Sequence, residues 1–455
     1  MSLNLTGDNT MRILLIQPKM IKRPMDTDLK TKMSPPLGLY TLMTVTPKEH
    51  TVTVINENIE NLRDEYDFDL VGISVNVDVM PRASEIASKF QRKNIPVIAG
   101  GIHISCCPEE CAAYFDAICI GPAELIWSKI IDDVENRCLN KIYKSSNCFR
   151  GEDIASPAYN SLSNSKYLYT NVILTSRGCP NRCDFCYNSA TERLYVKRPI
   201  KDVISDIKSL KTKHIMFIDD NFIGTPEYTR ELLEEMDGMG IKWNAAVTTK
   251  IIDYPELLDL MKKTGCQSLF IGFESINDTS LKSVNKSNQY AKYEIIAEKL
   301  HSHGIMINAS MVFGLDGDDK NVFSKTLDWL VKNKIETLTS HILTPYPGTK
   351  LYKKMLADGR ITEFDLSKYN TSNVVIKPFK MSEKELLDGY LWMYKKFYSF
   401  RNIICRIPED KSQRKAYLLF NLFYRKFGAF TSALAKLIPM RLIGRFVTKV
   451  SYKLK

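Results

Sequence analysis

VILTSRGCPNRCDFC, residues 172–186, runs a short apolar strand straight into a loop that carries three cysteines. Their spacing is Cys179-x3-Cys183-x2-Cys186. Thiolates this close on one loop can each take a separate iron of a cubane 4Fe-4S cluster, leaving the fourth iron open to a substrate or cofactor. Gly178 and Pro180 suit a loop that wraps tightly round such a group. A zinc site is the alternative, but structural zinc usually takes four protein ligands, and no second cysteine pair follows.

The strand at 172–176 reads as the first of six. Those at 215–219, 244–248, 268–274, Met306–Phe313 and 337–343 follow, with helical periodicity between them, as in 228–236 and 255–263. Six strand–helix units make a partial (β/α)6 barrel over 169–350, open on one side. In such barrels working residues gather at the C-terminal strand ends. Polar residues do cluster there: the cysteines, Asp219-Asp220-Asn221, Thr248-Thr249-Lys250 and Glu274-Ser275.

Upstream, residues 11–135 also alternate strand and helix. Strands are expected at Arg12–Gln17 (RILLIQ), 51–55, 70–75, 97–101 and 117–121, and helices at 81–93 and 125–134. That order predicts an α/β fold with a doubly wound, Rossmann-like parallel sheet. Ligands of such sheets sit at the carboxyl ends of the strands, here Ser74-Val75, Gly100-Gly101 with His103, and Gly121 with Glu124. Residues 136–168 are polar and rich in Ser and Asn and read as a linker that can still pack on the body; 351–455 read as a helical C-terminal domain with a basic amphipathic tail. Residues 1–10 read as a tag or as lying upstream of the true start.

Composition sets the outer limits. At 455 residues, 44% hydrophobic and 25% charged, the chain is globular and long enough for two or three domains. Eleven cysteines and no export signal argue against a disulfide framework and for a reducing, cytoplasmic setting. Cys106, Cys107 and Cys111 fit no common metal spacing and read as small hydrophobes. No apolar run is long enough for a transmembrane helix. The net charge of +11 comes wholly from residues 401–455, which hold 13 Lys and Arg against two acids. Charge confined to a tail disfavours a nucleic-acid partner. Within that tail, Leu418, Leu419, Phe420, Leu422, Phe423, Phe427, Phe430, Leu434, Leu437 and Ile438 alternate with Arg425, Lys426, Lys436, Arg441, Arg445 and Lys449. Either a helix packs its apolar side on the body, or an amphipathic segment lies on the inner, anionic membrane surface.

The cysteine run, with Phe185 just before its third member, resembles the radical S-adenosylmethionine superfamily. The resemblance implies a cluster on Cys179, Cys183 and Cys186 whose open iron chelates S-adenosylmethionine. It also implies contacts to that cofactor from Glu274 in Ile271-Gly-Phe-Glu-Ser275, from Ser310, and from Tyr187 and Asn188 on the adenine side. Gly314-Leu-Asp-Gly317 resembles a G-L-P-G turn with Asp316 in place of proline. An electron donor such as flavodoxin or ferredoxin is implied as partner.

Met33-Ser-Pro-Pro-Leu-Gly-Leu39, Gly100-Gly-Ile-His103, Pro108-Glu109 and Gly121-Pro-Ala-Glu124 occur in the order of the cobalamin-binding domain that precedes the barrel in one large subgroup. The resemblance implies cobalamin beside Ser74, Val75, Gly100, Gly101, His103, Gly121 and Glu124. The D-x-H-x-x-G fingerprint that supplies a histidine to cobalt is absent, and the loop 75–78 would lie near that lower face. A Rossmann-like remnant that binds nothing is the alternative. For the subgroup, the implied reaction is methylation of an unactivated carbon of a small-molecule or lipid-linked substrate. A radical cyclase, rearranging or oxidising enzyme is the first rival, and a non-catalytic iron–sulfur protein the second. Thr344-Pro-Tyr-Pro-Gly-Thr349 places Tyr346 as a substrate neighbour.

Overall fold

The computed structural model describes residues 10–452 except 25, 27–28, 64–66, 146–147, 163–165, 192–194, 211, 429–432 and 434–437, and for 31, 424, 440, 441 and 452 the backbone only. Phe430, Leu434, Lys436 and Leu437, the Arg441 side chain, and residues 1–9 therefore lie outside the description. The chain forms two compact units. One is Met1–Ile21 with Pro35–Leu162; the other is Lys22–Ser34 with Ser163–Lys455.

In the first unit, β1 (Arg12–Gln17), β2 (Thr51–Asn56), β3 (Leu70–Ser74), β4 (Val97–Gly100), β5 (Ala117–Ile120) and β6 (Ile142–Lys144) form one sheet in the order β2-β1-β3-β4-β5-β6. Every pairing is parallel. Helices cover both faces of such a sheet, so its strands read as unbroken apolar runs. Ile13, Leu14, Leu15 and Ile16 on β1 are all fully buried. Cys107 and Cys111 are buried and Cys106 is half-buried. The stretch 136–168, expected as a linker, is not a spacer: it supplies β6, and up to Leu162 it belongs to this unit. Its polar composition hid a three-residue edge strand of which only Tyr143 is buried.

In the second unit, β7 (Val172–Ile173), β10 (His214–Phe217), β11 (Lys242–Thr248), β12 (Cys266–Glu274), β13 (Met306–Phe313) and β14 (Thr337–Ile342) pair in chain order, all parallel. β7 and β14 are the two ends of the sheet, so the barrel is open between them. Between β7 and β10, β8 (Ser176–Arg177) and β9 (Val196–Lys197) form an antiparallel ribbon. The helical residues after 350, expected as a domain of their own, cluster with the barrel.

An open barrel leaves one edge of β14 without a partner strand, and unpaired buried backbone groups are costly. Helix Glu383–Phe397 and its cap residue Tyr398 supply the missing partners. The Tyr394 hydroxyl accepts from Ser340 N at 2.9 Å and donates to Ser340 O at 3.3 Å. Tyr398 does the same for Leu338, at 3.1 and 3.0 Å. Tyr390 donates to Ser340 O, and Thr371 O accepts from Ile342 N at 2.8 Å. Four helical residues rise about 6.0 Å and two strand residues about 6.6 Å, so tyrosines four apart meet alternate strand residues. The fully buried Arg406 continues the cap, donating to Ile335 O and Glu336 O.

Tyr394→Phe keeps the ring and removes the hydroxyl, stranding the buried Ser340 amide. Unfolding in guanidinium should show a loss of about 1–3 kcal/mol. An unchanged midpoint would show that the hydroxyl does not seal this edge.

Candidate functional site

The cysteine loop begins where a carboxylate outcompetes the sheet. Asp219, 2% exposed after β10, takes four donors: Thr175 N (3.1 Å), Thr175 Oγ1 (2.7 Å), Ser176 N (2.6 Å) and Ser176 Oγ (2.7 Å). The Thr175 amide is the next that would face β10 and cannot serve both, so the strand expected over 172–176 stops at Ile173. Gly178, at φ +80°, turns the chain into the loop. At the far end, buried Arg198 binds Leu174 O (3.0 Å) and pairs with Asp206 (2.8 Å). The loop is tied down by Asp184 N to Val284 O (3.1 Å), Asn285 Nδ2 to Arg182 O (2.9 Å) and Leu351 N to Asp184 O (3.0 Å).

Cys183 is buried, and Cys179 and Cys186 are half-buried. Cys179 lies close enough to raise the ionisation of Cys183, and both raise that of Cys186. Burial pushes Cys183 up and Cys186 up to about 12, with Lys286 opposing the rise at Cys183. Such thiols keep their protons unless cations replace them, which suits iron. Among the described residues, no three Cys, His, Asp or Glu side chains converge on a single ion.

Glu274 ends β12 at a register shift, with φ +67°, uncommon for a residue with a Cβ. The irregularity aims its carboxylate at Lys286 Nζ (3.0 Å) and Ser310 Oγ (3.4 Å). A Cβ on Gly272 would stand 2.5 Å from Glu274 Oε1, so a larger residue there would push that carboxylate out of its place. Asn288 Nδ2 satisfies the carbonyls of Gly272 (2.8 Å) and Phe273 (2.9 Å) that the distortion frees. Nothing in the sequence pointed to Lys286 or Asn288, which belong to no motif and reach the strand end through the fold.

Tyr187 follows the last cysteine and stacks on Tyr346, centroids 4.6 Å apart at 11°. The structure thus brings together two residues expected in separate roles. Asn188 accepts from Arg182 NH1 through its carbonyl (3.3 Å). Along the C-terminal strand ends, Ser189 Oγ, Thr191 Oγ1, Asn221 Oδ1 and Thr248 Oγ1 are buried without a hydrogen-bond partner among the described residues. Buried polar groups are rarely left so, and a cluster of them fits a polar ligand.

In the first unit, β3 and β4 end in register, Ser74 beside Gly100. Gly101, at φ +115°, packs so closely that a Cβ would lie 2.7 Å from Val75 O. Gly121, at φ +85°, receives Ser105 Oγ on its amide (3.0 Å) and faces Ser145, whose buried Oγ has no partner among the described residues. This row of side-chain-poor strand ends can admit a broad planar group close to the backbone. Glu124 is half-buried. His103 is enclosed at 1% exposure, and burial pushes its ring down to about 4, so it stays neutral.

Comparisons with known proteins match both units. A model of the Radical SAM superfamily fits residues 173–330, and one of the B12 binding domain fits 34–130. The bacteriochlorophyllide d C-12(1)-methyltransferase of Chlorobaculum tepidum is 30% identical over 411 residues, 87% of this chain and 89% of that protein. The hopanoid C-2 methylase of Rhodopseudomonas palustris is 25% identical over 389 residues, 79% of this chain and 73% of its own. The solved radical S-adenosylmethionine methyltransferase TsrM of Kitasatospora setae, with cobalamin and cluster bound, aligns at TM-score 0.62 and 17% identity over 77% of this chain and 75% of its own. That last likeness shows a shared fold.

Asp219→Asn retains the shape but replaces an acceptor oxygen by an NH2 group. Loss of charge-assisted bonds should cost about 1.5–3 kcal/mol, and hydrogen exchange at the Thr175 and Ser176 amides should speed up. Unaltered protection at both would mean that the loop base does not depend on this carboxylate.

Proposed function

Because the chain belongs to the cobalamin-dependent radical S-adenosylmethionine enzymes, we propose that it places a methyl group on an unactivated carbon of a small apolar molecule, a tetrapyrrole or a lipid in class. The observation that carries this reading is the loop of three buried or half-buried cysteines that follows the first strand of a partial barrel, with the Glu274–Lys286 pair at the end of β12. The substrate class rests on the names of the bacteriochlorophyllide and hopanoid relatives.

Cys179, Cys183 and Cys186 would hold the 4Fe-4S cluster, leaving one iron to S-adenosylmethionine. When bound, the cluster and S-adenosylmethionine supply radical hydrogen abstraction, and cobalamin supplies the methyl group. The protein positions these partners and excludes water. Glu274 and Ser310 would present an acceptor and a hydroxyl to the cofactor's polar groups, while Lys286 holds the buried carboxylate in place. Tyr187 and Asn188 line the adenine side, and Tyr346 meets the substrate. Ser74, Val75, Gly100, Gly101, Gly121 and Glu124 form the cobalamin cradle. His103, its ring enclosed and its amide and carbonyl bonded to Val75 and Cys107, would support that cradle from within the fold. A ferredoxin or flavodoxin would supply the electron.

Protein reconstituted anaerobically with iron, sulfide and hydroxocobalamin tests this. Replacing any one of the three cysteines by Ala should abolish 5′-deoxyadenosine release, and normal release from one variant would remove it from the cluster. The Co(II) resonance should lack nitrogen splitting from an axial imidazole. With substrate, methylation should yield S-adenosylhomocysteine as well as 5′-deoxyadenosine; mainly 5′-deoxyadenosine would favour a cyclase or oxidising enzyme.

The C-terminal region supports a place at an anionic membrane surface. Part of it packs on the body: Tyr417 and Asn421 are buried, and a Cβ on Gly444 would meet Leu168 O. Other described side chains are exposed: Phe400, Ile404, Phe423, Phe427, Leu442 and Phe446 are each at least 45% accessible. Phe400 and Phe427 touch, with Lys426 over the Phe400 ring, so apolar and basic groups share one surface. No helix among the described residues is long and apolar enough to cross a membrane. Phe423→Glu with Phe427→Glu should abolish salt-sensitive co-sedimentation with phosphatidylglycerol vesicles. Wild-type protein that stays in the supernatant would end this reading.

A further inference from the structure

The interior of the barrel holds a polar set that the reaction described above does not use. On β14, buried Leu338, Ser340 and Ile342 alternate with partly exposed Thr337, Thr339 and His341. On β11, buried Trp243, Ala245 and Val247 alternate with partly exposed Lys242, Asn244, Ala246 and Thr248. The buried set faces the helices, as Trp243 Nε1 donating to Thr264 O shows (3.2 Å). The partly exposed set therefore faces inward. Its members join across strands: Ser268 Oγ donates to Asn244 Oδ1 (2.8 Å), and Thr339 Oγ1 to Asn308 Oδ1 (3.2 Å).

His341 is the inward residue nearest the C-terminal end of β14, the end where barrels do their chemistry. Two distant segments converge on its Nδ1. Thr371 Oγ1 lies 2.9 Å away, and Arg23 NH1 lies 3.4 Å from Nδ1 and 3.1 Å from Thr371 Oγ1. A guanidinium only donates. Arg23 donates to the threonine oxygen, the threonine proton points to Nδ1, and Nδ1 accepts. With the donor-only Arg23 NH1 also 3.4 Å from Nδ1, the arrangement favours the ring proton on Nε2, which makes no hydrogen bond among the described residues. Burial, aided by Arg23 and Lys30 and opposed by Asp26, pushes the ring down to about 3, so it stays neutral. Arg23 is itself held by Asp26 (2.9 Å), which also takes Lys30 (2.7 Å).

Thr371 adds an independent sign. It sits at φ +65°, a left-handed conformation that a β-branched residue rarely adopts. Its carbonyl accepts from Ile342 N (2.8 Å), while Asn370 Oδ1 binds Ser372 N (3.2 Å) and Asn373 Nδ2 (3.0 Å). A glycine would satisfy that backbone without strain but would carry no hydroxyl to set the histidine. Strain of this kind persists where the side chain has work to do.

We propose that His341, set by Thr371 and Arg23, is a substrate-positioning residue whose Nε2–H donates to a carbonyl or carboxylate oxygen of the acceptor molecule inside the barrel. This rests on the reading that a small molecule is methylated there. A neutral donor fixes such an oxygen without attracting water or a second proton, and so orients the carbon that is to lose hydrogen.

Two measurements test it on the reconstituted holoenzyme. The first needs no substrate: nitrogen resonances of 15N-histidine-labelled protein, assigned with His341→Gln, should show His341 protonated on Nε2 and not titrating between about pH 5 and 8. Protonation on Nδ1, or titration in that window, overturns the proposal. The second uses bacteriochlorophyllide d as probe and counts methylated product per 5′-deoxyadenosine. His341→Phe should lower that ratio about tenfold, the worth of one hydrogen bond, and His341→Gln, whose amide reaches the Nε2 position, should recover part of it. Equal ratios in wild type and His341→Phe, or Gln no better than Phe, overturn it. A wild type that leaves the probe unmethylated counts against the substrate class, and the nitrogen spectrum then decides on His341 alone.

Discussion

Asp219 draws four donors from Thr175 and Ser176, and the geometry of the catalytic end follows from that draw. A parallel strand would otherwise continue into the ladder and carry the cysteines along its axis. Taking the Thr175 amide, the next that would face β10, out of the ladder ends β7 after two residues and releases the chain as a loop over the strand ends. The buried carboxylate is costly to desolvate, which pushes its ionisation up, and the donors offset that cost. The Arg198–Asp206 pair and the antiparallel ribbon close the far side. Three thiols are thus held from both ends, which a cluster with one open iron demands.

The same accounting of backbone groups governs the rest of the second unit. Six strands do not close a barrel, so one edge stays open and must be satisfied by something other than a strand. Tyrosine hydroxyls can accept and donate at once, and two of them seal alternate residues of β14. Because the helix seals the edge from outside, the inner face stays free for polar groups. Segments remote in sequence, around Arg23 and Thr371, then reach it. At β12 the distortion that aims Glu274 leaves two carbonyls unpaired, and Asn288 takes both.

Much of this was legible in the chain. Strand–helix alternation over 11–135 and 169–350 predicts two parallel sheets, and both are present. Period and apolar content survive translation from sequence to structure because a strand buried on both faces has few alternatives. The cysteine spacing and the glycines at 100, 101 and 121 were legible because each carries a local requirement. The edge strand at 142–144 was not, since one buried residue in three leaves no pattern. The tail was legible only as a choice between packing and exposure, and different residues of it do each.

The sequence alone determined which residues could ligate iron and that two parallel units exist, since those depend on neighbours a few positions apart. Only the tertiary structure decided that Lys286 pairs with Glu274, that Tyr187 stacks on Tyr346, and that Arg23 and Thr371 orient His341. These pairings join residues 12 to 348 positions apart. A hydrogen bond or ion pair across such a separation has no period and no spacing; it exists only once packing has brought the two strand ends together.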